Sequence, residues 1–242
     1  MNKFLYPALL FSLMGCGWWR HAPHISYTPA QTTPAEETDT LDNCTKLPAD
    51  SLNQMCGAFE DTLTETAFGN VVADKCLADA SEYLLNLYGM PCHAAVIPPG
   101  SIRTSLAGPI LHIKDWCSAL PLQNHRTSII VLKLNGRQMD SLFYTLRNPD
   151  NWYVAGMNIT YHHGAWLQAR IQNQPFDSRR DYYIATTLGM PKLRFVPQEI
   201  CKLPPMKTAH YLRDAVITGL QKEYAKDSIN RVDSAPRILH GP

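Results

Sequence analysis

The run at 129–134, I-I-V-L-K-L, is followed at once by Asn135-Gly136 and then by Met139, Leu142, Phe143 and Leu146. A short apolar run bounded by turn residues reads as a buried strand, whereas apolar residues at i, i+3, i+4 and i+7 form one face of a helix. A strand that turns straight into an amphipathic helix calls for a fold mixing sheet and helix. The rest of the chain carries the same two signals. Val71, Val72, Cys76, Ala80, Tyr83, Leu84 and Leu87 predict a helix over 70–88, with Asn70 as its cap, Asp74 in its first turn, and Gly89 and Pro91 at its end. Residues 93–97 read as a short buried strand, 157–162 and 166–172 as a hairpin turning at His163-Gly164, and 182–187 as another strand. A last helix is predicted over 212–224, while 189–208 is Pro-rich and irregular and the tail after Lys226 reads as loop. Strands and helices mix without strict alternation. The expected class is mixed α/β (α+β), in a layered arrangement, and not a doubly wound parallel sheet.

A formal net charge of +1 with 18% charged residues argues against a nucleic-acid surface, and no apolar run reaches the length of a membrane span. The N-terminus is distinctive. Met1-Asn2-Lys3 is a short basic segment, residues 4–14 are apolar, and Leu13-Met14-Gly15-Cys16 resembles a bacterial lipobox. An ordinary secretory signal prefers a small residue where Leu13 stands. The resemblance implies that residues 1–15 are removed and that Cys16 carries acyl chains anchoring the protein to a membrane of the bacterial cell envelope. Residues 16–43, rich in Pro and Thr, are expected to form a disordered tether, leaving 44–242 as the folded domain. In an exported protein Cys44, Cys56, Cys76, Cys92, Cys117 and Cys201 permit disulfides, with no pairing assignable from spacing. Cys76, on the apolar face of a helix, reads as a packed thiol.

The stretch 96–134 contains the turn Pro98-Pro99-Gly100-Ser101 with Arg103 just beyond it, between two apolar runs. Loops holding an arginine beside turn glycines bind anions in many proteins. On pattern alone, a tight structural turn with a solvated arginine accounts for this stretch better.

Six segments, in order, resemble the 5'-nucleotidase C-terminal domain family: E-T-A-F-G-N-V-V-A-D at 65–74, P-P-G-S-I-R at 98–103, G-P-I-L-H-I-K-D at 108–115 with L-P-L-Q-N at 120–124, L-K-L-N-G-R-Q-M at 132–139, V-A-G-M-N-I-T-Y at 154–161, and Y-Y-I-A-T-T at 182–187. Full-length members are exported enzymes that hydrolyse nucleotides and related phosphate esters. A metallophosphatase domain with two metal ions does the chemistry, and the C-terminal domain binds the nucleotide, stacking its base between two phenylalanines. The resemblance implies a layered α/β/β/α domain with mixed sheets. It also implies a ligand site in which Arg103 holds the anion, Gly100 makes the tight turn, and Asn124 and Leu122 stand at the family's asparagine and first phenylalanine. Pro98 replaces the family's loop asparagine, Thr187 stands where the family has Asn, and the later G-G-D-G segment with the second aromatic has no counterpart in L-G-M-P-K-L-R-F-V-P.

The D-x-H, G-D and G-N-H-[DE] motifs of the two-metal site are missing, so no catalytic residue, no metal ligand and no cofactor is expected in this chain. His162 and His163, adjacent on a predicted strand, should point to opposite faces. The chain also lacks a nucleophile–base motif. Two expectations follow. The protein is the substrate-binding half of a nucleotide-hydrolysing system, with a separate metallophosphatase supplying the divalent metals. Alternatively it is a non-catalytic structural or interaction lipoprotein that keeps the fold without the ligand.

Overall fold

The structure is a computed structural model that describes residues 49–60, 62–103, 106, 108–120, 125–147 and 152–241. Cys16, Cys44, Leu122 and Asn124 lie outside the described residues, and so do the residues expected to form the leader, the tether and the lipid anchor.

After one helical turn at Ala49–Leu52, strand β1 (Met55–Ala58) leads to the long helix α1 (Glu65–Tyr88). The helix starts earlier than its apolar period suggests. The Thr64 hydroxyl, and not Asn70, caps it by accepting the Ala67 N–H at 3.2 Å. Asn70 is buried inside the helix and donates to the Asp233 and Ala235 carbonyls at 2.7 and 3.0 Å. Gly89, at φ +64, ends the helix as predicted.

The elements that follow are β2 (Ala94–Ile97), β3 (Ile110–His112), α2 (Ile113–Ala119), β4 (Ser128–Leu134), α3 (Gly136–Leu146), β5 (Tyr153–Ala155), β6 (Met157–His162), β7 (Ala165–Ile171), β8 (Gln174–Pro175), β9 (Tyr182–Thr187), β10 (Met206–Tyr211), α4 (Leu212–Asp227) and β11 (Ile238–His240). The central sheet has the order β10-β4-β9-β2-β5. Its β2 and β9 run parallel, and every other pair in it is antiparallel. A second sheet, β11-β6-β7-β8, and a ribbon of β1 with β3 complete the strands.

Alternation along β4 shows why the layers form. Ile129 and Val131 pack into the core under α1 and α4, with Ala95, Ile97 and Ala185. Ile130, Leu132 and Leu134 face the other way, into a core shared with α3 (Met139, Leu142, Phe143, Leu146) and the second sheet (Met157, Ile159, Tyr161, Ile171). Asn135 opens α3 with a reciprocal cap: Gln138 N–H donates to its side chain at 3.0 Å, and its own N–H donates to Gln138 Oε1 at 2.9 Å. The result is the mixed, layered α+β class expected from the sequence.

Three further readings need correction. The Pro-rich stretch 189–208 holds a helical turn, Gln198–Cys201, and the start of edge strand β10. The tail is not simply loop. The Arg237 guanidinium donates to both Asp74 carboxylate oxygens at 2.7 and 2.9 Å and to the Val154 carbonyl at 2.9 Å, which seats β11 in parallel beside β6. His163 is not on the strand: it sits in the turn at φ +49, which swings its ring to a centroid distance of 4.0 Å from that of His162. Among the described cysteines, Cys117 is disulfide-bonded, while Cys56, Cys76, Cys92 and Cys201 are free.

Candidate functional site

The parallel pairing of β2 and β9 puts their C-terminal ends at one edge of the central sheet, and antiparallel β4 begins at that same edge. Three loops therefore meet there, at the carboxyl ends of parallel strands where open sheets tend to leave a crevice. The first leaves β2 as a β-turn: Ser101 N–H donates to the Pro98 carbonyl at 3.2 Å, with Pro99 and Gly100 at the central positions. Gly100 has φ +79, the value that the third residue of a type II turn requires and that side chains resist. The second loop enters β4 through the single 3-10 turn His125–Thr127. The third leaves β9 and forms the 3-10 turn Met190–Lys192, closed by Lys192 N–H donating to the Gly189 carbonyl at 3.1 Å.

Backbone hydrogen bonds join the second and third loops. Leu188 N–H donates to the Ser128 carbonyl at 2.9 Å and Gly189 N–H to the Arg126 carbonyl at 2.8 Å. A Cβ on Gly189 would lie 3.1 Å from that carbonyl oxygen, so glycine permits the approach. Between the loops lies a cavity of about 350 Å³, lined by Pro98 to Ser101, Arg126, Thr127, Thr187, Gly189, Lys192 and Leu193. Its described lining offers two cations, three hydroxyls (Ser101, Thr127, Thr187) and no carboxylate. Ser101 and Thr187 are buried, whereas Arg126 and Lys192 are exposed at the rim.

Of the residues singled out from the sequence, Gly100 lines this cavity and Arg103 does not. The Arg103 N–H donates to the Ala119 carbonyl at 2.8 Å, pinning the loop to the end of α2, and its side chain is exposed away from the lining. The cations that do line it, Arg126 and Lys192, were missed. A signal for them exists in the sequence. The three loop segments, 98–108, 120–128 and 187–196, carry Arg103, Arg126, Lys192 and Arg194 and not one Asp or Glu, in a chain with 22 basic and 21 acidic residues. Acid-free loops around one concavity focus positive potential there.

Chemically, such a lining can hold an anion. Among the described lining residues there is no histidine or carboxylate to act as a general base. Among the described residues as a whole, no three His, Cys, Asp or Glu side chains are grouped to hold a metal ion. The one Phe, Tyr or Trp of the third loop, Phe195, is 46% exposed and packs edge-on against Trp152 at 5.7 Å; it does not line the cavity.

Comparison with known proteins fits this fold. A family model described as "5'-nucleotidase, C-terminal domain" matches residues 49–190. A search of the curated proteins finds no match. Among solved structures, a 5'-nucleotidase precursor from Thermus thermophilus superimposes with a TM-score of 0.64 at 13% identity, covering 79% of this chain and 40% of that one. The sulfate thiohydrolase SoxB from Thermus thermophilus, in complex with glycerol, gives a TM-score of 0.54 at 14% identity, covering 79% and 36%. The NAD nucleotidase of Haemophilus influenzae gives 0.54 at 12% identity, covering 80% and 39%. At these identities the likeness is one of fold, and the chain spans about two fifths of the length of these structures.

Proposed function

The chain belongs to the 5'-nucleotidase C-terminal domain family, and from that premise we propose that it is a substrate-binding domain for nucleotides or related phosphate esters, whose hydrolysis is carried out by a separate metallophosphatase. The observation that carries this reading is the cavity at the sheet edge, with Arg126 and Lys192 at its rim and the Gly100 turn in its wall. A guanidinium and an ammonium beside hydroxyl donors suit a phosphoryl group, which accepts charge-assisted hydrogen bonds at three oxygens. The divalent metals belong to the partner in this scheme. This chain's part is to hold the phosphate ester by its phosphoryl group at the exposed rim of the cavity.

Calorimetric titration of the purified domain with AMP, alone and with a candidate metallophosphatase, tests the reading. Binding should be detected, and Arg126→Ala should weaken it more than Arg103→Ala, since Arg103 lies outside the cavity lining. No heat of binding with any phosphate ester in either format would sink it.

A second reading, a scaffold that keeps the fold without the ligand, is favoured by one observation: buried Pro98 occupies the turn position where the family has a polar asparagine. That reading falls if phosphate esters bind through the cavity. Both readings include a lipid anchor at Cys16. Metabolic labelling with a fatty acid should mark the wild type and not Cys16→Ser, and equal labelling of the two would remove the anchor.

A further inference from the structure

Resting on the binding reading above, we infer that the cavity recognises the phosphoryl group alone and is indifferent to the nucleoside, so that its ligands are compact phosphate monoesters as a class. The described lining divides cleanly by chemistry. Its polar side chains are two cations and three hydroxyls, all suited to the oxygens of a dianion. Its apolar part is Pro98, Pro99 and Leu193, which are aliphatic and offer no ring face. Nucleobases are held chiefly by stacking on aromatic faces, worth roughly 5- to 150-fold in affinity per base. A ribose is fixed by an acceptor that takes its hydroxyl protons, most often a carboxylate.

Neither group is present among the described lining residues. The three loops contain no Asp or Glu at any position. Phe195 is their one Phe, Tyr or Trp, and its ring is engaged edge-on with Trp152, outside the cavity. Phe68 stacks on Trp116 at 5.0 Å, and that pair is buried in the core beneath α1, so it offers no platform either. The donor set survives while both groups that would read a base and a sugar are absent from the described lining. Selectivity therefore rests with the phosphoryl end.

The experiment is a calorimetric series on the folded protein with inorganic phosphate, ribose 5-phosphate, AMP and adenosine, repeated with Lys192→Gln and Lys192→Arg. Lys192 is exposed, so both variants should fold, and matched thermal melts check this. The inference expects ribose 5-phosphate and AMP to bind within about threefold of each other, adenosine not to bind, Lys192→Gln to weaken every phosphate ligand by about tenfold, and Lys192→Arg to retain most of the affinity. AMP binding more than tenfold tighter than ribose 5-phosphate, or adenosine binding alone, overturns the inference and leaves the binding reading standing. Unchanged affinities in Lys192→Gln would put the ligand elsewhere and overturn it too. If none of the four ligands binds, the parent reading fails and takes the inference with it.

Discussion

Gly69, inside α1, provides the sharpest test of how this domain is packed. A Cβ built on it would lie 1.8, 2.1 and 2.4 Å from the Cδ1, Cε1 and Cγ atoms of Tyr153, all more than an ångström inside ordinary contact. Two effects of opposite sign compete in Gly69→Ala. The helix gains about 1 kcal/mol from the better intrinsic propensity of alanine. Against this, the Tyr153 ring must leave its place on the helix, where its hydroxyl lies 3.3 Å from Glu65 Oε1. Overpacking costs about 1–3 kcal/mol, and losing an aromatic contact outright costs up to about 3–5 kcal/mol in a full core. Tyr153 is only half-buried, so we expect a net loss of about 1–3 kcal/mol, or a melting point lower by roughly 3–10 °C. Urea unfolding should show a lower midpoint at unchanged slope. The decisive arm is the double-mutant cycle with Tyr153→Ala. In that background the clash is gone, so Gly69→Ala should become neutral or stabilising by about 1 kcal/mol. A loss of the same size in both backgrounds would refute the steric account. The site should feel the change as well. Tyr153 pairs with Ile97 across β5 and β2, and Ile97 directly precedes the Pro98–Ser101 turn.

Other outcomes follow from single groups. The Nδ1 atom of His93 accepts the Tyr183 N–H at 3.0 Å, and burial, aided by Arg180, holds this imidazole below its ordinary value of 6.5. The fold therefore favours the neutral ring. Its contribution is present above about pH 6.5 and is lost as pH falls, because the unfolded chain then binds the extra proton. Urea midpoints measured from pH 7.5 to 5 should fall less steeply in His93→Asn, whose side-chain carbonyl can still accept the Tyr183 N–H; identical slopes would exclude His93. Burial pushes the Cys56 and Cys92 thiols up to about 12, and Cys76 well above its ordinary value. At pH 8 only about one in ten thousand of the Cys56 and Cys92 side chains is a thiolate, so a thiol reagent should label these three cysteines only on unfolding, and rapid native labelling of any of them would contradict their burial. Gly100→Ala meets nothing within 4 Å, so its cost is conformational, about 1–2 kcal/mol from φ +79, and a melting point equal to the wild type would mean the turn has another shape.

Elements whose hydrophobic period is local were legible in the sequence. The strands at 129–134, 157–162 and 182–187 and the helix after Asn135-Gly136 form where the pattern puts them. What was missed depends on contacts made across the chain. Strand β10 lies among prolines, shifts register between Lys207 and Tyr211 and holds Ala209 at φ +64, which blurs its alternation. β11 has too short a pattern to declare itself and is held by Arg237 reaching Asp74, more than 160 residues away in sequence. The start of α1 lies earlier than its pattern suggests because Gly69 reads as a helix breaker, whereas here it makes room for the Tyr153 ring. At the site, Gly100 was legible because a Pro-Gly turn is a local feature. Arg126 and Lys192 were not, because their loops meet only through the antiparallel pairing of β4 with β9, which sets Ile129 opposite Thr187.

The charge distribution bears on the choice between a binding domain and an idle scaffold. Arg126 and Lys192 line the cavity, and the three loops around it contain no Asp or Glu of their own. At physiological salt the screening length is about 8 Å, so cations sharing one rim still repel one another. That repulsion opposes the folded state, in which the loops are held together, far more than the unfolded chain, in which they are apart. An anion at the rim reverses the sign of the effect by turning mutual repulsion into shared attraction. A scaffold with no ligand would gain stability from a single acidic substitution in any of the three loops. A phosphate-binding domain would gain that stability too, but only by giving up its ligand. In a phosphate-binding domain, stability and binding would thus be opposed at this edge of the sheet, as they are at functional sites generally.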